Sequence, residues 1–245
     1  MRSRQLRNIN TSLAHLLFLM KLTYYGHSCF SVIAGGKTLL FDPFITPNKL
    51  AKAIEVDKVR ADYIFVSHGH FDHITDVVRI ARRTGAKVLG NWELYEWFNK
   101  NDLKNTHPIN PGGQFAFDFG TVKSFTAQHS SSLPDGSYGG VASGFAFKTS
   151  SGDFYYSGDT GLTLDMQLVS AWVKPDFAVF PIGDGLTMGT EDAIKAAQYV
   201  GVSKVVGVHY DTFGFITIDH SKAMETFTKA GLRLYLQNIG SEVEL

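Results

Sequence analysis

From Lys21 onward the chain alternates between short apolar runs bounded by turn formers and longer segments in which apolar positions recur every three or four residues. These are the periodicities of buried strands and of amphipathic helices. Residues 21–25 and 28–34 read as strands, Gly35-Gly36 as a hairpin turn, and residues 37–41 as a buried strand ended by Asp42-Pro43. Residues 61–67 (ADYIFVS) form another apolar strand. The spacing of Val77, Val78, Ile80 and Ala81 predicts a helix over residues 74–84, closed by Gly85. A strand over 86–90 leads to Asn91, an N-cap for a helix reaching Asn101.

Residues 114–119, 121–127, 144–148 and 153–156 alternate as strands do, and residues 162–172 have helical spacing. Residues 176–182 (DFAVFPI) predict a buried strand. Thr190 is the expected cap of a helix carrying Glu191 and Asp192 in its first turn, where acidic groups suit the helix dipole. A strand over 204–209, a helix over 220–229 stopped near Gly231, and an alternating strand through Leu232, Leu234 and Leu236 complete the pattern.

Two halves share a rhythm: TLLFD, helix, DYIFVSH is matched by FYYSGD, helix, DFAVFPIGD. No linker rich in Pro, Gly or Ser separates them, so residues 21–245 are expected to form one α/β domain of two similar halves. Residues 1–20 stand apart. Arg2, Arg4 and Arg7 precede an apolar run that is short, contains His15 and lacks a small-residue cleavage site. This segment reads as a poorly ordered extension instead of a signal peptide, with Met20 as an alternative start.

Composition narrows the field. The 245 residues are 44% hydrophobic, and 23 basic side chains balance 23 acidic ones. A net charge of zero gives no support to a nucleic-acid or anionic-membrane partner. No apolar run approaches the ~18 residues of a membrane-spanning helix. The single cysteine, Cys29, excludes an intrachain disulfide and a Cys-rich zinc site, and fits a cytoplasmic location.

The segment Ser67-His68-Gly69-His70-Phe71-Asp72-His73 carries the chemistry. Three imidazoles and a carboxylate fall within six residues directly after a buried strand, and both groups are ligands for zinc and related divalent ions. One loop cannot complete two metal shells. His129, Asp159 and His209 each follow an apolar strand as well. Taken alone they read as a polar loop residue, a turn former and a strand-end histidine; their shared placement joins them to the cluster. His220 competes with His209 but opens a helix; His15 and His107 receive no role.

The ordered set H-x-H-x-D-H, His, Asp, His resembles the metallo-β-lactamase superfamily over residues 21–245. The words GHSCF (26–30), FDPF (41–44), SGDT (157–160), TMG (187–189) and HYDTF (209–213) are similar to its family of small metal-dependent hydrolases. They are also similar to the related ascorbate-6-phosphate lactonases and N-acylphosphatidylethanolamine phospholipases D. The resemblance implies a four-layer αββα fold. It implies that His68, His70 and His129 bind a first metal, that Asp72, His73 and His209 bind a second, and that Asp159 bridges them. Two divalent ions follow, zinc first, with manganese or iron as alternatives.

Such a pair would turn a shared water into hydroxide for cleavage of an ester, lactone, amide or phosphodiester, with Asp72 able to move a proton. The substrate is expected to be a small molecule, and association into homo-oligomers follows from the relatives. Asp42 either supports a ligand-bearing loop or simply ends a strand in an Asp-Pro turn. His27 either faces the substrate or is an exposed loop histidine. An iron redox enzyme on the same fold and a non-catalytic metal-binding module are the competing readings.

Overall fold

Strands that read as continuous apolar runs lie inside the molecule, whereas those with polar faces lie at its edges. The computed structural model describes residues 20–245. The first half contributes β1 (Lys21–Gly26), β2 (Cys29–Ala34), β3 (Lys37–Phe41), β4 (Tyr63–Phe65), β5 (Lys87–Gly90) and β6 (Thr106–Pro108). The second contributes β7 (Gln114–Phe117), β8 (Gly120–Thr126), β9 (Ser143–Thr149), β10 (Gly152–Tyr156), β11 (Phe177–Pro181), β12 (Lys204–Val208) and β13 (Arg233–Tyr235), and β14 (Glu242–Glu244) follows. Two seven-stranded sheets result, in the orders β14-β1-β2-β3-β4-β5-β6 and β13-β12-β11-β10-β9-β8-β7.

The sheets face each other across a core in which alternate residues of one strand take different sides. Leu39 and Phe41 of β3, Phe65 of β4, and Phe177 and Val179 of β11 pack between the sheets. Leu40 and Ile64 face outward onto α1 (Phe71–Ile74), α2 (Val77–Thr84) and α3 (Trp92–Lys100). Ala178 and Phe180 face outward onto α4 (Gln167–Trp172), α5 (Thr190–Val200) and α6 (His220–Lys229). The order is helix, sheet, sheet, helix: the four-layer α/β architecture of two halves.

In each half antiparallel strands lead into parallel ones. β3 to β6 are parallel in the first sheet, and β10 to β13 in the second. β3 and β10 therefore occupy equivalent places. Asp42 follows the first as Ser157-Gly158-Asp159 follows the second, both at the carboxyl edge where α/β sheets present functional groups.

Several boundaries differ from the periodic pattern. The helix expected over 74–84 starts only at Val77, as α2, and Thr75-Asp76 separates it from α1, which covers Phe71–Ile74. The Asp76 carboxylate accepts from the Ile45 and Thr46 amides (2.7 and 2.8 Å) and the Thr46 hydroxyl (2.6 Å), contacts some 30 residues away that periodicity does not register. Gly189, not Thr190, occupies the cap position of α5. The helix expected over 162–172 begins as a 3₁₀ turn, Leu164–Met166. β6 and β14 carry no run long enough to announce themselves, and β14 is fixed by pairing with β1. The expected extension lies outside the described residues except Met20, which is buried and accepts a hydrogen bond from the Leu245 amide. Among the described residues no helix is long and apolar enough to cross a membrane.

Candidate metal centre

His68 leaves the end of β4, His70 precedes α1, and Asp72 and His73 lie in its single turn. His129, Asp159 and His209 follow β8, β10 and β12. The fold brings these distant strand ends to one place. Ligand atoms of His68, His70 and His129 lie within 4.8 Å of one another, as do those of His68, His73 and Asp159, and those of His27, Asp72, His73 and His209. His220 stays outside, exposed and 2.6 Å from Asp211, and His107 packs on Phe115 and Phe117.

Gly158 makes the approach of Asp159 feasible. Its φ is +63°, and a Cβ there would sit 2.5 Å from the Ser143 carbonyl and 2.9 Å from Ser67 Cβ. Only glycine lets the chain turn so close to the histidine loop.

Asp42, fully buried, anchors the cluster from behind. It accepts from the Ser67 amide (2.8 Å), the Ser67 hydroxyl (2.6 Å), His73 Nδ1 (2.9 Å) and the Tyr156 hydroxyl of the opposite sheet. Ser67 Oγ has a single proton, which goes to Asp42, so at 2.9 Å it accepts from His68 Nδ1–H. One carboxylate thereby fixes the tautomer of two histidines, directly at His73 and through Ser67 at His68. Both are left with Nε2 free to face the cluster.

Some atoms turned into the cluster have no hydrogen-bond partner. His73 Nε2 and Asp159 Oδ1 are buried without any hydrogen bond, and His68 Nε2 faces His70 Nδ1 at 2.8 Å. Buried polar atoms are rarely left so. A donor set of imidazole nitrogens and carboxylate oxygens, closing on a common point without sulfur, fits borderline divalent cations.

Five of the groups have charge states that suit that use. Burial, reinforced by His73, pushes His68 well below the usual imidazole range and lowers His70; burial likewise lowers His129 against the pull of Asp159. All three therefore offer neutral nitrogens. Burial opposes ionisation of Asp72 and Asp159, but His73 beside Asp72 and His209 beside Asp159 outweigh it, holding both well below the usual carboxylate range. His73 moves the other way: burial opposes its charge, and the carboxylates of Asp159, Asp42 and Asp72 prevail.

His27 is buried, with a positive φ of 56°. Its Nε2 lies 3.0 Å from Asp72 Oδ2 and its Nδ1 3.0 Å from the Thr212 hydroxyl. With Asp72 ionised, Nε2–H donates to Asp72 and Nδ1 accepts from Thr212. Burial lowers His27 to about 4 despite Asp72. The folded chain then binds fewer protons there than the unfolded chain between about pH 6.5 and 4, so this contribution to stability is full above that window and lost as pH falls through it. Metal-free protein is expected to show a falling unfolding midpoint from pH 7 to 4.5, with a shallower fall in His27→Gln. Equal slopes for the two would contradict this.

Sequence alone assigns Ser67, Tyr156 and Thr212 no role of their own. Ser67 and Tyr156 end apolar strand runs, and nothing local marks a hydroxyl whose partner lies across the core. Cys29 is buried with its thiol pushed up by desolvation, which leaves no thiolate nucleophile. The 130–140 loop is tied to the histidine loop where the Gly69 amide donates to Ser131 Oγ (3.0 Å), and to the start of α3 where Asn91 Nδ2 donates to the Gly139 carbonyl (2.8 Å).

Known proteins show the same combination. Residues 37–210 match the family described as "Beta-lactamase superfamily domain". A "UPF0173 metal-dependent hydrolase" of Flavobacterium johnsoniae is 44% identical over 226 residues, covering 92% of this chain and all of the relative. One of Methylacidiphilum infernorum is 49% identical over 208 residues, covering 85% and 92%. Among solved structures, Igni18, "a novel metallo hydrolase" of Ignicoccus hospitalis, superposes with a TM-score of 0.83 at 32% identity, covering 93% of this chain and 98% of that one. An isothiocyanate hydrolase from Delia radicum gut bacteria shares the fold (TM-score 0.75, 18% identity, coverage 91% and 98%). On these grounds the chain belongs to the UPF0173 metal-dependent hydrolases of the beta-lactamase superfamily.

Proposed function

We propose that His68, His70 and His129 hold one divalent cation, that Asp72, His73 and His209 hold a second, and that Asp159 bridges them in a hydrolytic centre acting on a small molecule. The observation that carries this reading is the position of Asp159. Its Oδ2 lies 2.9 Å from His209 Nε2, 3.2 Å from His73 Nε2 and 3.8 Å from His129 Nε2, so one carboxylate touches both histidine groups. When bound, such a pair lowers the pKa of a shared water and polarises the oxygen of the bond under attack, which makes esters, lactones, amides and phosphodiesters the candidate substrates.

The chain's own residues do the rest. Asp42 and Ser67 fix the orientation of His68 and His73, so the nitrogens do not reorganise during reaction. Asp72, held by His27, stands where it can take a proton from an attacking water and return it to the leaving group. Zinc is the proposed metal, with manganese and iron as alternatives for elemental analysis to separate. The buried lone thiol fits the proposed cytoplasmic setting.

A panel of ester, lactone, amide and phosphodiester substrates tests this reading. Protein dialysed against a chelator is expected to lose turnover, and zinc to restore it. Undiminished turnover in the chelated sample would overturn it.

A further inference from the structure

One side of the cluster is walled by phenylalanines. Phe44 and Phe213 each lie edge-on to His27 with ring centroids 5.5 Å away, and His27 holds Asp72. Phe71, placed between His70 and Asp72, packs against Phe44 at 5.7 Å and Phe213 at 6.3 Å. Phe215 stacks on Phe213 at 5.6 Å and 16°. The rings thus run without a gap from the proposed metal ligands to the surface. Phe44 is buried at the back, Phe213 is half-buried, and Phe71 and Phe215 are 56% and 67% exposed.

Soluble proteins seldom leave such a contiguous aromatic face bare without a use for it, and ligand pockets are largely apolar with a few placed polar groups. The other side of the cluster is polar: Ser130 Oγ lies 3.5 Å from His70 Nε2, and Ser131 ties down Gly69. Among the described residues the charged partners of Asp42, Asp72 and Asp159 are histidines, and no lysine or arginine pairs with them.

Building on the hydrolytic reading, we propose that Phe71, Phe213 and Phe215 form an acyl-binding wall, and that the substrate is an uncharged ester, lactone or amide whose acyl part carries an extended apolar group. The wall ends directly beside the proposed ligands, so an acyl chain lying along it keeps its carbonyl at the cluster. The polar rim is left to the leaving group. Phe71, Phe213 and Phe215 are specificity-determining residues in this arrangement.

The test uses zinc-loaded protein with 4-nitrophenyl acetate, butanoate and hexanoate, and with bis(4-nitrophenyl) phosphate. If the chain is buried along the wall, kcat/KM is expected to rise about fourfold per methylene. Phe215→Ala should flatten that slope, chiefly through KM, and Phe215→Leu should restore part of it. The phosphodiester should be the poorest substrate. Calorimetric titration with acetate and hexanoate reads the wall without turnover, with hexanoate the tighter ligand and its advantage lost in Phe215→Ala. If neither the esters nor the phosphodiester nor the wider lactone and amide panel is cleaved but the hexanoate advantage holds, the hydrolytic reading fails and the wall stands. Chain-length indifference in both measurements would overturn the wall. So would a Phe215→Asp variant that changes oligomeric state but keeps the hexanoate advantage, because the aromatic face would then be a contact between copies of this chain.

Discussion

Replacing Asp159 by alanine is expected to remove metal and turnover together. Among the described residues its carboxylate alone pairs within 4 Å with histidine nitrogens from both proposed ligand sets, and it is 2% exposed. Losing an outer hydrogen-bond partner of a metal ligand costs roughly 10- to 100-fold in affinity or activity. Loss of a bridging ligand should exceed that range. Without it, His209 loses its nearest carboxylate and His73 loses one of the two that lie within 3.2 Å, so a cation site and a charge-compensated histidine pair are disrupted in one step. Elemental analysis of the dialysed variant should show fewer than two metal equivalents per chain, and hydrolysis should fall to background. A variant that keeps two equivalents and measurable turnover would remove Asp159 from its proposed role.

Asp42 should have the next largest effect, and of a different kind. Asp42→Ala strips the acceptor from His73, Ser67 and Tyr156 inside the core. Breaking a buried charge pair by removing one partner costs about 3–5 kcal/mol. Unfolding of the metal-free variant in denaturant should show a loss of that order. Asp42→Asn is the gentler probe: it keeps the shape but presents one amide where donors already converge, and should weaken metal affinity about 10- to 100-fold. Competition with a chromophoric chelator measures that shift. Asparagine binding metal as tightly as the parent chain would mean that His68 and His73 need no orientation from behind.

The chemistry of the site was more legible in the sequence than its support. The array from His68 to His73 announces itself because its residues are adjacent, and His129, Asp159 and His209 were linked to it by a shared position after apolar strands. The structure places all of them together. His27 had two open readings, and its burial against Asp72 depends on a left-handed turn that local pattern does not reveal. Tyr156 looked like the last residue of a buried strand, which it is; its hydroxyl matters because the two sheets face each other and Asp42 lies opposite. Asp76 broke a helix that periodicity had drawn whole, for partners on a distant loop. Phe71 lies some 140 residues from the Phe213-Phe215 pair, so no local pattern could join them. Contacts made within a few residues leave a trace in sequence; those made across the core do so only when the residue type is rare in its surroundings.

The most direct measurement is anomalous diffraction from crystals of zinc-loaded protein at the zinc edge. Two peaks about 3.5–4 Å apart, one among His68, His70 and His129 and one among Asp72, His73 and His209, with Asp159 in contact with both, are expected. A single peak, or ions bound away from Asp159, would contradict a paired centre.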